Sequence, residues 1–179
     1  MYKTIFILLC SLIMLNSCFS HNFGNEKEYQ TPPIVQPIDF SKGEQKFNIY
    51  INTSENAKWS IGLYLYAKPI GKLPFFKYPT PNKNEYQNFN RILGVKSMEN
   101  NGFPAEITVQ ILDPATSKVI LNYSTRYPTT NSYYKGRVTE MIIDIPRGKN
   151  VIVFQYSPIS TDLSFLYGEV FIREPYNGK

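Results

Sequence analysis

The chain has little of the chemistry that most catalytic and metal sites require. Its 179 residues include one histidine, His21, and two cysteines, Cys10 and Cys18. A nucleophilic triad needs a base beside its nucleophile, and zinc sites draw mainly on histidine and cysteine ligands. Because no histidine or cysteine follows His21, the greater part of the chain excludes the usual triads and zinc sites. A glycine-rich phosphate-binding loop is also absent from the sequence.

Charge of either sign is also scarce, at 19 Lys and Arg residues against 14 Asp and Glu residues. Such a small and scattered positive surplus is untypical of a nucleic-acid-binding protein. A carboxylate pair of the kind that hydrolyses glycosides is compatible with the composition, since several acidic residues lie near predicted strand ends: Asp113, Asp144, Asp162 and Glu169. Aspartate at such positions usually stabilises the turn itself. We therefore expect a protein that is not an enzyme.

No apolar run is long enough to cross a membrane as a helix. The most apolar segment, residues 5–15, has eleven residues, whereas a membrane-spanning helix needs about 20. Lys3 precedes this segment and the small residue Ser17 follows it, which is the layout of a secretory signal. The sequence thus predicts a signal peptide over residues 1–17.

The segment Leu15-Asn16-Ser17-Cys18 resembles the lipobox of bacterial lipoproteins. The resemblance implies a diacylglyceryl group on Cys18, cleavage before Cys18, and acylation of its new amine with a fatty acid such as palmitate. Several acyl chains anchor a protein firmly, whereas a single chain binds a membrane only marginally. The residue after Cys18 is Phe19 and not an aspartate, which by resemblance to the sorted lipoproteins of Gram-negative bacteria implies the outer membrane and not the inner one. The sequence leaves both faces of that membrane open, and we expect the periplasmic one.

Residues 18–36 are predicted to be a lipidated tether, and residues 37–179 a β-sandwich domain. The tether segment is polar, contains the Pro32-Pro33 pair and shows no sustained apolar period. Its histidine is expected to be solvated. With Cys18 acylated, the domain has no disulfide and must fold through packing, for which 14 Tyr, 12 Phe and one Trp supply large apolar surfaces.

Alternating apolar and polar residues predict strands along most of the domain. The alternation runs through residues 45–53 and again from Trp59 to Leu65. The short polar connection between these strands is consistent with an antiparallel hairpin. Further strands are predicted at residues 107–111, 119–123, 138–145, 151–156 and 163–173. About seven or eight strands at this spacing, without helical crossovers, predict an all-β antiparallel sandwich.

Several of these features together resemble a family of small, uncharacterised bacterial lipoproteins. The features are the lipobox, the strands at 47–51 and 59–66, and the segment 143–148 with the two strands that follow it. The resemblance covers most of residues 37–173. It implies an immunoglobulin-like β-sandwich and brings no catalytic residues with it.

Two irregular loops are predicted to carry the binding surface. The first, 68–104, contains a predicted short helix that is capped by Asn84 and stops at Gly94, and its apolar face closes one open end of the sandwich: Tyr86, Phe89 and Leu93. The second, 126–136, is polar and rich in tyrosine. The loop residues that we predict to bind a partner lack the spacing that would bury them: Phe75, Phe76, Tyr78, Arg126, Tyr133 and Tyr134.

These expectations describe a static binding protein held at a membrane. The most concrete function is that of an immunity protein, an outer-membrane-anchored periplasmic lipoprotein that neutralises a secreted antibacterial effector. The alternative is a carbohydrate-binding or envelope-assembly lipoprotein, in which Tyr and Trp rings stack on sugars. We expect no cofactor, no metal and no nucleic-acid partner, and the sequence leaves the oligomeric state open.

Overall fold

The strands of this chain follow from its alternating apolar residues. A computed structural model describes residues 27–67, 83–93, 102–133, 136–159 and 162–175. A short 3-10 helix spans Phe40–Lys42, and the remaining elements in chain order are β1 (Ile34–Ile38), β2 (Gln45–Thr53), β3 (Ala57–Ala67), α1 (Lys83–Leu93), β4 (Ala105–Leu112), β5 (Val119–Arg126), β6 (Asn131–Tyr133), β7 (Gly136–Ile145), β8 (Gly148–Pro158) and β9 (Leu166–Arg173). Of the helices in these ranges, none is both long and apolar enough to cross a membrane.

The described strands form two sheets that pack face to face. One has the order β1-β9-β3-β7-β6 and the other the order β2-β8-β4-β5, and the pairs between these named strands are antiparallel. The predicted all-β antiparallel sandwich with one short helix in a long loop is confirmed. In these orders β9 lies between β1 and β3, and β8 lies between β2 and β4, which is the strand order of a jelly roll.

The predicted hairpin between β2 and β3 is wrong. β2 pairs with β8, while β3 pairs with β7 and β9 in the other sheet. The connection between β2 and β3 therefore crosses from one sheet to the other. The alternation of apolar and polar residues predicted both strands correctly, because it shows which side chains of a strand face the core. It does not show which strand lies beside it, because the same side chains face the core in either sheet.

The core lies between the two sheets and is built from alternate residues of the strands on both sides. The inward side chains with no exposed surface include Ile61, Leu63, Ile107, Val109, Ile111, Ile152, Phe154, Val170 and Ile172. Helix α1 adds Phe89 and Leu93 to the same core, which confirms that these two residues pack on the sandwich. Because α1 begins at Lys83, Asn84 lies inside its first turn rather than before it.

The packed body begins earlier in the chain than residue 37. β1 pairs with β9, and its Ile34 and Ile38 are buried. Upstream of it, the backbone of Gln30 donates to Tyr50 O over 2.9 Å and accepts from Asn52 N over 3.0 Å. The segment around Gln30 thus lies against the edge of β2. The two isoleucines are too few to reveal this in a polar, proline-containing segment.

A smaller apolar cluster covers the outer face of the five-stranded sheet. Phe171 is only 1% exposed, and its ring stacks on that of Tyr64 with the centroids 4.3 Å apart. The guanidinium of Arg173 lies 5.0 Å from the Phe171 ring centroid, and its Nη2 donates to Glu140 Oε2 over 3.1 Å. Ser60 Oγ donates to the same carboxylate oxygen. These aromatic rings are therefore occupied by contacts within the chain.

Candidate partner-binding edge

The sheet edges differ in how they are protected from pairing with another chain. An exposed edge strand presents unpaired N–H and C=O groups, and proteins protect such edges with proline, short strands or covering segments. Within the described sheets, the segment around Gln30 covers β2, Pro37 interrupts β1, and β6 has only 3 residues. β5 has 8 residues and contains no proline. Among the described strands, β5 and the part of β7 from Thr139 to Ile145 carry none of these three protections, because β6 pairs with β7 only over residues 136–138. Of these two edges, β5 has the larger number of exposed apolar side chains.

The hydrogen bonds between β4 and β5 determine which backbone groups of β5 face outward. Tyr127 N donates to Ala105 O over 2.9 Å. Thr125 and Tyr123 lie opposite Ile107 and Val109, and they belong to the same alternating set of residues that bond to β4. In an antiparallel pair, residues that bond to the neighbour alternate with residues that point away from it. The N–H and C=O groups that point away from β4 therefore belong to Asn122, Ser124 and Arg126.

The register of β5 shifts near its start, between Ile111 and Leu112 of β4. Leu121 lies opposite Ile111 and Val119 lies opposite Leu112, so Ile120 is the extra residue of a β-bulge. A bulge bends a strand and weakens it as a template for pairing. The regular part of the open edge consequently runs from Leu121 to Arg126.

Apolar exposure in the described chain is concentrated along β5 and the residue that follows it. Of the six large hydrophobic residues that are exposed there, four belong to this stretch: Val119 at 45%, Ile120 at 50%, Tyr123 at 45% and Tyr127 at 43%. Scattered exposed hydrophobic residues are normal, but a contiguous group is typical of an interaction surface. The open backbone and the exposed apolar side chains thus occur on the same strand.

Arg126 ends β5 and is the residue of the predicted binding set that lies on this edge. Its Nε is 3.7 Å from Glu106 Oε2, and the two side chains are 65% and 42% exposed. Glu106 Oε1 also accepts from Ser124 Oγ over 3.0 Å. Ion pairs as exposed as this one contribute little to stability, so Arg126 can exchange Glu106 for a partner's carboxylate at small cost.

The other predicted binding residues are not brought to this edge by the described part of the chain. Tyr133 ends β6, which belongs to the other sheet. The side chain of Tyr133 and the whole of Phe75, Phe76, Tyr78 and Tyr134 lie outside the described residues, as does the predicted lipidation site Cys18.

Sequence reasoning missed three exposed apolar residues of this edge, Ile120, Tyr123 and Tyr127. The run of three consecutive apolar residues from Val119 to Leu121, which breaks the alternation, was the available signal.

Two of the acidic residues considered for catalysis, Asp113 and Asp162, are engaged in turns, whereas Asp144 lies within β7. Asp113 Oδ1 accepts from the backbone N–H groups of Ala115 and Thr116 over 2.8 and 3.3 Å, and these bonds lower its pKa. The backbone N–H of Ser164 likewise lowers the pKa of Asp162. Glu169 accepts from the Tyr167 hydroxyl over 3.0 Å, and burial together with this bond raises the pKa of Tyr167 to about 12. Across the described ranges, no three His, Cys, Asp or Glu side chains are grouped to hold a metal.

No known protein family matches the chain, and no curated protein matches it. The solved structures that are similar to it at low identity include the following two. A protein from Sulfurospirillum deleyianum is 17% identical, with a TM-score of 0.49 over 83% of this chain and 100% of that one. A ruminal GH26 endo-beta-1,4-mannanase is 10% identical, with a TM-score of 0.39 over 86% of this chain and 28% of the mannanase. At these scores, neither similarity carries an argument about function.

Because N–H groups that bond to β4 alternate along β5 with N–H groups that point away from it, we expect proline to destabilise the protein by different amounts at neighbouring positions. Ser124→Pro removes an N–H that points away from β4, so we expect the free energy of unfolding to fall by less than about 1 kcal/mol. Thr125→Pro removes an N–H that bonds to β4 and should cost about 1–3 kcal/mol. Urea unfolding of the purified protein, followed by the fluorescence of Trp59, measures both. Equal costs at the two positions would show that the edge is not open.

Proposed function

We propose that the chain is a membrane-anchored lipoprotein that acts by binding a protein partner and catalyses no reaction. The observation that carries the proposal is the open edge of β5, where unpaired backbone groups and exposed apolar side chains coincide. Another polypeptide can pair its backbone with the unpaired N–H and C=O groups of the edge, and its side chains can bury Ile120 and Tyr123. Arg126 adds a cation at the end of the same strand, and arginine is enriched where interfaces are strongest.

A protein partner fits the described surface better than a sugar does. Carbohydrate binding would require exposed rings on which sugars can stack. Trp59 is partly buried and packs against the core, and Phe171 is covered by Tyr64 and Arg173. The exposed rings of Tyr123 and Tyr127 lie beside an open strand edge, where backbone pairing is the more specific form of recognition.

Among protein partners, we favour a secreted antibacterial effector. A static domain that is tethered at the periplasmic face of the outer membrane meets proteins that enter the envelope. Binding alone is sufficient to neutralise such an effector when the bound domain blocks the effector's active site. The scarcity of histidine and cysteine in the chain agrees with a function that requires no chemistry.

A competition experiment tests this function. Deleting the gene should sensitise the cell to a neighbouring cell that secretes the matching effector, and a secreted hydrolase encoded next to this chain is the first effector to use. Complementation with the natural chain or Ser124→Ala should restore resistance, whereas Ser124→Pro should not, with its expression checked by immunoblotting and its folding by urea unfolding. A deletion strain that is no more sensitive, together with a periplasmic pull-down that yields no stoichiometric protein, would contradict the proposal.

The membrane anchor is tested separately by Cys18→Ser. Without the cysteine thiol no diacylglyceryl group can attach, and we expect the protein to move from the membrane fraction to the soluble periplasmic fraction. Fractionation followed by immunoblotting measures the distribution, and Cys10→Ser is the matched control that should leave it unchanged. Retention of the Cys18→Ser protein in the membrane would show that the anchor is assigned to the wrong residue.

A further inference from the structure

The backbone of the open edge restricts what can pair with it. Asn122, Ser124 and Arg126 each present one N–H and one C=O, and alternate residues of a strand are about 7 Å apart along its axis. An extended strand carries donors and acceptors at the same interval, whereas a helix satisfies its own backbone groups internally. The structure therefore favours a partner that contributes a β-strand to this edge.

The side chains of β5 define the two faces that the added strand would continue. Leu121, Tyr123 and Thr125 lie on the same side of the sheet as the core residues Ile107 and Val109, which are opposite or diagonal to them. The outer side carries only polar residues along the regular edge: Asn122, Ser124 and Arg126. An added strand that alternates apolar and polar residues would bury the exposed part of Tyr123 and keep its polar side chains in solvent.

The charged residues at the two ends of β5 are both positive. Lys118 immediately precedes the strand and Arg126 ends it, and no acidic residue lies between them. Glu106 on β4 compensates Arg126 through an exposed contact, whereas Lys118 has no acidic partner among the residues that the structure describes. Two cations that bracket an uncharged edge are complementary to a strand with an acidic residue near each end.

A second copy of this chain fits the edge less well. Two β5 strands paired antiparallel would bring the Lys118 and Arg126 of both copies to one ribbon. β5 contributes no carboxylate, and the carboxylates nearest the four cations, Glu106 on β4 and Asp113 in the turn after it, belong to the side of β5 away from the second copy. Like charges across a strand pair are destabilising. The charge pattern therefore favours a different protein over self-association.

We propose that the partner adds a β-strand to the edge of β5, with apolar side chains beside Tyr123 and an acidic side chain near each end, opposite Lys118 and Arg126. This inference rests on the proposed function and names the part of the partner that the edge recognises.

Synthetic peptides test the inference without knowledge of the partner. The probe is a peptide of about nine residues that alternates threonine and valine and has glutamate at both ends, and its matched control has lysine at both ends. Binding to the full chain is measured by NMR, from the amide shifts of Asn122, Ser124 and Arg126. The glutamate peptide should bind about tenfold more tightly than the lysine peptide, and added salt should reduce the difference.

Three variants separate backbone pairing from charge. Ser124→Pro should abolish binding of the glutamate peptide, Ser124→Ala should retain it, and the double variant Lys118→Glu with Arg126→Glu should prefer the lysine peptide. Equal binding of the two peptides, binding that survives Ser124→Pro, or no binding at millimolar peptide would overturn the inference. The inference would also be overturned if the natural chain forms a dimer and Ser124→Pro abolishes that dimer, because the edge would then bind a second copy of the chain. None of these results alters the outcome expected for the deletion strain and for the periplasmic pull-down, which test the proposed function without reference to the edge of β5.

Discussion

Backbone hydrogen bonding at the edges of the two sheets is the constraint on which the rest of this structure depends. Every strand within a sheet satisfies its donors and acceptors through two neighbours, but an edge strand has only one. In the described sheets, a preceding segment covers β2, a proline interrupts β1, and β6 is short. β5 has a regular open stretch that ends at Arg126, with exposed apolar side chains along the same strand, and the proposed function follows from that combination.

The same constraint accounts for the order of the strands. β8 and β9, which come last in the chain, are central in their sheets and bond to strands on both sides. Their apolar residues are correspondingly abundant, and Val151 and Val153 are buried although they lie on the side of β8 opposite the core residues Ile152 and Phe154. The early strands thus provide the edges into which β8 and β9 insert. Most pairings consequently join residues that are distant in sequence.

Sequence reasoning succeeded where one local pattern determines one local structure. The bounds predicted for β2 are those observed, and the turn after β4 forms as expected around Asp113. It failed on pairing, because alternation shows the face of a strand and says nothing of its neighbour. For the same reason, alternation gave no indication that Tyr123 is exposed. Tyr123 lies on the core side of β5, opposite Val109, but whether the opposite sheet extends far enough to cover it depends on strand order. Arg126 was identified only because it begins an irregular segment.

Amide hydrogen exchange along β5, in the free chain and in its complex with the effector, tests the central claim most directly. In the free chain, we expect the amides of Asn122, Ser124 and Arg126 to exchange rapidly and those of Tyr123 and Thr125 to be protected by β4. In the complex, the first three should become protected as well. Protection of all five amides in the free chain, or rapid exchange of Asn122, Ser124 and Arg126 in the complex, would contradict recognition through the open edge.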